Sequence, residues 1–503
     1  MTGSFTYQFD TPVYKGTTTI RTGHFINGVW IQAMDPKAVI PVVNPTTGET
    51  ITNVAAGATE DVHTAVLHAI EAYKRVWGLN SPGTARSLLL NVLADLVEEH
   101  ADELAAIEAL NVGKPFHQAR NMDVKTTIEL FRYYAGWADK VEGKSYETDE
   151  KKLAYTRKEP FGVVGLIVPW NFPLLIAASK LAPALASGNS VVLKPSEVTP
   201  LSTLKLCEYI SAAGFPDGVV NVINGYGDPV GVAIARHANI GKVSFTGSTR
   251  VGHQIMRASS ETNLRPVTLE LGGKSPTIVF DDADLKQAVK WAAQGLFYNS
   301  GQACIAGSRI YVHAGIYQDF LDSFTETVLN LEKLIGNPFA ENTQQGPLVS
   351  AVHFNRVMDY IKSGEAEGAT IHTGGTRRGT EGYFITPTIF TGVTASMKIM
   401  REEIFGPVGA IMMFTTESEV VEAANMTEYG LAANVFSQNV DRALRVAHRL
   451  ESGSIWVNSA GDTEIAVPFG GYKQSGIGRE MGQHAIDAYT RTKAVHVNIG
   501  HEL

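Results

Sequence analysis

Short runs of apolar, β-branched residues alternate with helix-length amphipathic segments, and this alternation constrains the fold more than any other feature. The runs are Val163-Val164-Gly165-Leu166-Ile167-Val168, Ser190-Val191-Val192-Leu193, Val219-Val220-Asn221-Val222-Ile223 and Lys242-Val243-Ser244-Phe245. Between them lie helix patterns over Leu174 to Ser187, Leu201 to Ala213 and Asp228 to Arg236. Pro or Asp opens these helices, and Gly188, Gly214 and the break His237-Ala238-Asn239 close them. Strands that are apolar on both faces must be covered on both faces, so a parallel, doubly wound sheet is expected.

A second series begins near Thr268. Its strands are expected at Thr277 to Phe280, Arg309 to Val312, Gly409 to Phe414 and Asn434 to Phe436, and its helices at Asp284 to Phe297, Ile316 to Leu334 and Asp441 to Leu450. A chain of 503 residues exceeds one ordinary core, so a second α/β domain is expected. The polar stretch Lys140 to Lys158 and the alternating Lys493 to Asn498 read either as an exposed arm or as surface hairpins.

Charge and composition narrow the partners. The net charge of -9 is dispersed, with no run of like charges to hold nucleic acid or an anionic membrane. The longest apolar stretch, around Phe161 to Val168, is far shorter than the roughly 18 residues of a spanning helix. The first ten residues lack an apolar targeting core, and the ending Gly500-His501-Glu502-Leu503 matches no retention signal, so the cytosol is the expected compartment. Only Cys207 and Cys304 are present, too few for a disulfide framework or a thiolate metal site, and no metal is expected.

The two thiols read differently. Cys207 shares helical spacing with Thr203, Leu204 and Ile210 and is expected to be an inert core thiol. Cys304 lies in Ser300-Gly301-Gln302-Ala303-Cys304-Ile305-Ala306-Gly307, where small residues permit a sharp turn that presents a nucleophile, although the segment alone does not decide it. In Thr268-Leu269-Glu270-Leu271-Gly272-Gly273-Lys274 a carboxylate ends an apolar strand just before two glycines, which suits a buried base or a salt-bridged strand end. Its tail Gly273-Lys274-Ser275 lacks the upstream glycine of a P-loop, since Thr268 stands there. Phe245-Thr246-Gly247-Ser248 is a strand, a glycine turn and a helix start, which presents N–H groups to a phosphate without the full dinucleotide spacing. Pro169-Trp170-Asn171-Phe172-Pro173 holds an amide stiffly between prolines, as an oxyanion donor or a helix cap.

Together these segments resemble the aldehyde dehydrogenase superfamily over nearly the whole chain, in its NAD-preferring, non-acylating class. The resemblance rests on Pro169-Trp170-Asn171-Phe172-Pro173, Lys194-Pro195-Ser196-Glu197, Phe245-Thr246-Gly247-Ser248, Leu269-Glu270-Leu271-Gly272-Gly273-Lys274, Gly301-Gln302-Ala303-Cys304, Glu403-Ile404-Phe405-Gly406-Pro407 and Pro468-Phe469-Gly470-Gly471, in the family's order. It implies a Rossmann-like NAD-binding domain (1–132 and 159–267), a catalytic α/β domain (268–482) and a small β oligomerisation arm (133–158 and 483–503) that pairs subunits into a homodimer or homotetramer.

By this resemblance Cys304 attacks the aldehyde, Asn171 and the Cys304 N–H stabilise the oxyanion, and Glu270 activates the water that hydrolyses the thioester. Lys194 and Glu197 are implied for the adenosine ribose, Trp170, Gly247 and Ser248 for the pyrophosphate region, and Glu403 and Phe405 for the nicotinamide ribose and ring. A carboxylate at Glu197 suits a 2′-hydroxyl and repels a 2′-phosphate, so NAD is expected over NADP, with Lys194 leaving dual use open. The implied substrate pocket is Phe172, Leu175, Ile176, Ser179, Tyr298, Ala303, Ile305, Gly461, Thr463 and Phe469. Small residues at Ser179 and Gly461 suggest a medium-sized or bulky aliphatic or aromatic aldehyde. The alternative is an amino or trimethylammonium aldehyde held by Asp462 and Glu464. From other classes, a thiol hydrolase of the papain kind lacks its required cysteine context here, and a silent scaffold would be free to lose Cys304 or Glu270, yet both are present.

Overall fold

The computed structural model describes residues 3–503 and contains two large sheets, each with helices on both faces. In the first, eight strands lie in the order Gly476–Ile477, Val267–Glu270, Lys242–Thr246, Val163–Ile167, Ser190–Lys194, Val220–Val222, His24–Ile26 and Val29–Ile31. The five central strands are parallel, and the flanking ones pair antiparallel. The anticipated runs are therefore the sheet's centre. Val163–Ile167 and Ser190–Lys194 are buried at every position, as strands covered on both faces must be.

Connections reverse direction at Val163–Ile167. From it the chain builds outward to Ser190–Lys194 and Val220–Val222 on one side, then returns to Lys242–Thr246 and Val267–Glu270 on the other. Such a switch point opens a crevice at the carboxyl ends of the strands. One face of the sheet is covered by Gly83–Glu99, Ala101–Val112, Lys125–Ala135, Pro173–Ala186 and Leu201–Ala212, and the other by Thr59–Arg75, Val232–Arg236 and Thr249–Glu261. The helix expected from Asp228 is shorter: Asp228 is extended, and a wide turn over Gly227–Gly231 precedes Val232–Arg236.

The second sheet has the order Thr370–Thr373, Thr388–Thr391, Val408–Phe414, Arg309–His313, Pro276–Val279, Ala432–Phe436 and Ser454–Val457, antiparallel only at its first pair. Leu285–Phe297 and Tyr317–Glu332 pack on one face, Ala351–Ala366 and Glu417–Asn425 on the other. Asp284 caps the first of these helices by accepting from the Gln287 N–H at 3.1 Å.

Three boundaries differ from expectation. Val267–Glu270 is a strand of the first sheet, so the chain leaves that sheet after Glu270, not at 268. Helix Lys125–Ala135 runs through position 132 without a break. Ala485, Ile486 and Tyr489 pack into the first domain's core, which excludes 483–489 from any projecting arm. What remains is a three-stranded sheet in which Lys152–Pro160 lies between Ser145–Tyr146 and Thr490–Asn498, leaving the last strand as an edge. Among the described residues, no helix is long and apolar enough to cross a membrane, and no group of three metal-ligating side chains converges.

Candidate active site

Cys304 stands at the end of an unusual turn. Helix Leu285–Phe297 stops, and Asn299, Ser300 and Gly301 follow with φ of 51°, 58° and 71°, three left-handed residues in succession. Non-glycine residues hold that conformation only when their surroundings insist. Here the Asn299 amide donates to the Asn171 carbonyl at 3.0 Å and the Ser300 hydroxyl to the Gly346 carbonyl at 2.8 Å. The Gln302 amide donates to the Asn299 carbonyl at 3.0 Å, while its oxygen accepts the Val349 N–H at 2.9 Å. Gly301 is required by space, because a Cβ there would lie 2.1 Å from the Gly406 carbonyl oxygen.

The Gly272-Gly273 pair receives this turn. A Cβ on Gly273 would lie 2.3 Å from the Cys304 carbonyl oxygen, and one on Gly272 would lie 2.7 Å from Glu403 Oε2. The glycines after Glu270 thus let the thiol's backbone pass against the first sheet's exit. Burial, with Glu403 and Glu270 close by, pushes the Cys304 thiol up to about 12. It rests as a thiol, so its proton must leave as the nucleophile forms. Cys207 is fully buried, and its Sγ donates to the Thr203 carbonyl at 3.3 Å, as a core thiol should.

Asn171 and Glu270 arrive from the first sheet's carboxyl edge. Asn171 is 4% exposed, and its amide donates to the Gln302 carbonyl at 3.0 Å. That uses one of two N–H groups and leaves the second free. Glu270, 3% exposed, ends its strand with neither carboxyl oxygen hydrogen-bonded. Burial, followed by the neighbouring Glu480 carboxylate, holds it well above the usual carboxylate range, against the opposing pull of Lys180 and Arg479. Lys180 and Glu480 form a buried ion pair that also engages the Ser244 hydroxyl. Neither was singled out from the sequence. Lys180 lies one turn beyond Ile176 on an otherwise apolar helix, and only the fold brings Glu480 to it.

The expected nucleotide residues line the same crevice. Lys194, at the end of its strand, donates to Glu197 Oε2 at 3.0 Å, and Glu197 remains 35% exposed at the rim. Ser248 is the exposed N-cap of the 13-residue helix Thr249–Glu261. The hydroxyl of Thr246, just before Gly247-Ser248, is buried without a partner. An orphaned donor at a helix N-terminus fits a pyrophosphate. Across the crevice, Glu403 Oε1 accepts the Gly273 N–H at 2.9 Å, and burial raises this carboxyl to about 7. Phe405, at φ 61°, packs edge-on against Trp170 with centroids 5.2 Å apart. Sequence reasoning missed His353, which holds this corner. Its Nε2 lies 2.7 Å from the Phe405 carbonyl and its ring 5.0 Å from Trp170, with burial pulling its pKa down to about 4 so that the ring stays neutral. It comes from helix Ala351–Ala366, which carries no local signal of a role.

The implied pocket residues are brought together unevenly. Phe172 and Tyr298 stack with centroids 6.2 Å apart and planes 10° from parallel. Leu175 and Ile176 are half-buried on the first turn of Pro173–Ala186. Ala303 and Ile305 flank the thiol, and a Cβ on Gly461 would touch Ile305 at 3.6 Å, so that side is kept open. Phe469 pairs with Glu480 through two backbone hydrogen bonds beside Glu270. Ser179 is buried and its hydroxyl turns back to the Ile176 carbonyl at 3.0 Å, so it offers smallness and no hydrogen bond. Asp462, Thr463 and Glu464 are exposed on a loop.

The sequence profile of the aldehyde dehydrogenase family matches residues 30–495. An aldehyde dehydrogenase of Agaricus bisporus is 54% identical over 499 residues, covering 99% of each chain. Human retinal dehydrogenase 2 is 47% identical over 477 residues, covering 94% of this chain and 91% of its own. The structure of a betaine aldehyde dehydrogenase from Staphylococcus aureus in complex with NAD+ superposes with a TM-score of 0.94 at 38% identity, covering 96% of each chain. With a thiol, an amide and a buried carboxyl gathered at a nucleotide crevice, these matches establish that the chain belongs to the aldehyde dehydrogenase family and is an NAD(P)-dependent oxidoreductase.

Proposed function

We propose that the protein oxidises a medium-sized or bulky neutral aldehyde to its carboxylic acid through a covalent intermediate on Cys304, with NAD as the hydride acceptor. The observation that carries this reading is Glu270: a carboxyl almost wholly buried, with both oxygens unpartnered, in the same site as the thiol. A salt-bridged strand end would have a partner.

Cys304 Sγ releases its proton to solvent and adds to the aldehyde carbon, and the carbonyl oxygen becomes an oxyanion. The free N–H of Asn171 and the Cys304 backbone N–H bind that charge. Bound in the crevice, NAD would supply the hydride acceptor for the substrate carbon, and Cys304 Sγ would then hold the acyl group as a thioester. Glu270 in its ionised form then takes a proton from water, the hydroxide equivalent adds to the thioester carbon, the C–S bond breaks, and the proton held by Glu270 passes to the departing Sγ to restore the thiol. One aldehyde, one NAD+ and one water yield one acid, one NADH and one proton.

Roles of the parts follow. The first sheet binds the nucleotide, with Lys194 and Glu197 at the adenosine ribose, Trp170, Gly247 and Ser248 at the pyrophosphate and Glu403 and Phe405 at the nicotinamide ribose. The rim position of Glu197 supports NAD over NADP, because a second phosphate would meet its carboxylate. The second sheet presents the thiol. The edge strand Thr490–Asn498 supports assembly into a homodimer or homotetramer, and two isolated thiols suit a reducing cytosol.

Phe172, Tyr298, Leu175, Ile176, Ile305, Gly461 and Phe469 form the substrate walls, and the small Gly461 supports a wide pocket. The exposure of Asp462 and Glu464 weighs against a cationic aldehyde, since a solvated carboxylate discriminates weakly. Comparing kcat/KM for acetaldehyde, hexanal, benzaldehyde and betaine aldehyde, each with NAD and NADP, tests the reading. Preference for acetaldehyde or betaine aldehyde overturns the substrate class, and absence of NADH with every aldehyde overturns the activity.

A further inference from the structure

Behind the Asn171 turn lies a buried group of charges that the chemistry above does not use. Glu108 on helix Ala101–Val112, Lys114 in the loop after it and Asp123 in the turn Ala119–Val124 are each 0–1% exposed. Lys114 and Asp123 form an ion pair, and Glu108 lies beside Asp123 and is held up to about 8 by burial and by that neighbour. Burying such groups is costly, and apolar replacements of similar volume are often as stable or more so. Their position supplies a reason to keep them.

The Lys114 ammonium lies 3.9 Å from the centroid of the Phe172 ring. The Glu108 carboxyl lies near the backbone N–H of Leu174 and the Ser202 hydroxyl. Through Lys114 the cluster therefore contacts Phe172, the residue that follows Asn171. From the thiol's side the same turn is held by Asn299 on the Asn171 carbonyl and by Gln302 on the Asn171 amide.

We infer that Lys114, anchored by Asp123 and Glu108, is a positioning residue for the oxyanion donor: it fixes Phe172 from behind and so aims the free N–H of Asn171. The inference rests on the proposed role of Asn171 and deepens it. Oxyanion donors act only when preorganised, and a displacement of about 1 Å costs on the order of a hundredfold in rate.

A double-mutant cycle with Lys114→Met and Asn171→Ala in the full-length protein tests this, read as NADH formation from hexanal and as NADH affinity by fluorescence. Lys114→Met alone is expected to lower kcat at least about tenfold with NADH affinity unchanged, and to cost under about twofold when Asn171 is already Ala. Lys114→Arg, which keeps a cation near the ring, should recover part of the rate. Asp123→Asn loosens the anchor while keeping the cation, and decides by the same cycle if Lys114→Met does not fold. Rate losses that multiply in the double variant, or weakened NADH binding, overturn the inference and mark the cluster as a general support of the fold. If Asn171→Ala alone leaves the rate unchanged, the oxyanion reading itself fails, which is a separate result.

Discussion

The amide of Asn171, at the exit of the first sheet, donates to the backbone carbonyl of Gln302, two residues before Cys304, at 3.0 Å. This contact joins the end of the first sheet to the turn that carries the thiol. It also orients the remaining Asn171 N–H, so donor and nucleophile cannot drift apart without breaking a buried hydrogen bond worth about 1 kcal/mol.

Replacing Asn171 with Ala should lower kcat by about 10² to 10³ while KM for NAD stays within a few-fold, because the lost N–H binds charge present only in the transition state. Steady-state kinetics with hexanal check this. An equal rise in KM with unchanged kcat would show that Asn171 only binds substrate.

Glu270→Gln should give a burst of about one NADH per active site followed by slow turnover, since hydride leaves before water is needed. Stopped-flow absorbance near 340 nm shows the burst. In the native protein Glu270 is held above the usual carboxylate range, so it is protonated where an ordinary Glu is ionised. Raising pH ionises it and supplies base, so kcat should climb with pH above the range in which an ordinary Glu ionises, and the Gln variant should lose that slope.

Gly273→Ala places a methyl where the Cys304 carbonyl oxygen now lies, 2.3 Å from the new Cβ, and backbone cannot yield as a side-chain tip can. Activity should fall by about a hundredfold or more, and Tm should fall by several degrees with the fold retained at 25 °C. Circular dichroism on heating separates this from global unfolding.

With its thiol at about 12, Cys304 should react slowly with iodoacetamide near neutrality, at a rate rising about tenfold per pH unit from 7 to 10. One thiol per chain should be labelled and none in Cys304→Ala, because Cys207 is fully buried. Mass spectrometry of the alkylated protein counts the sites.

Much of this arrangement was legible in the sequence because strands buried on both faces are uninterrupted apolar runs, as at Val163–Ile167 and Ser190–Lys194. Helices such as Pro173–Ala186 announce themselves with a proline start. The glycine and proline neighbours of Cys304, Glu270 and Asn171 drew attention to these segments without deciding their roles, which only the resemblance supplied. Lys114, Lys180, Glu480 and His353 were not singled out, because each contacts a residue distant in sequence and sits in an ordinary helix or loop. The strand Val267–Glu270 was assigned past a domain boundary because pairing with Lys242–Thr246 is a tertiary fact that local pattern does not carry. The Ser179 hydroxyl was lost to its own helix, a local bond that composition does not reveal.

The first sheet is completed from the far end of the chain: Gly476–Ile477 forms its outer strand, and Tyr489 gives its backbone carbonyl to Asn189 at 2.9 Å. During synthesis on the ribosome, Val267–Glu270 therefore waits as an open edge while some two hundred further residues emerge, and the nascent nucleotide half is exposed to chance pairing until then. A chain ending before Gly476 would leave that edge permanently bare and is expected to aggregate.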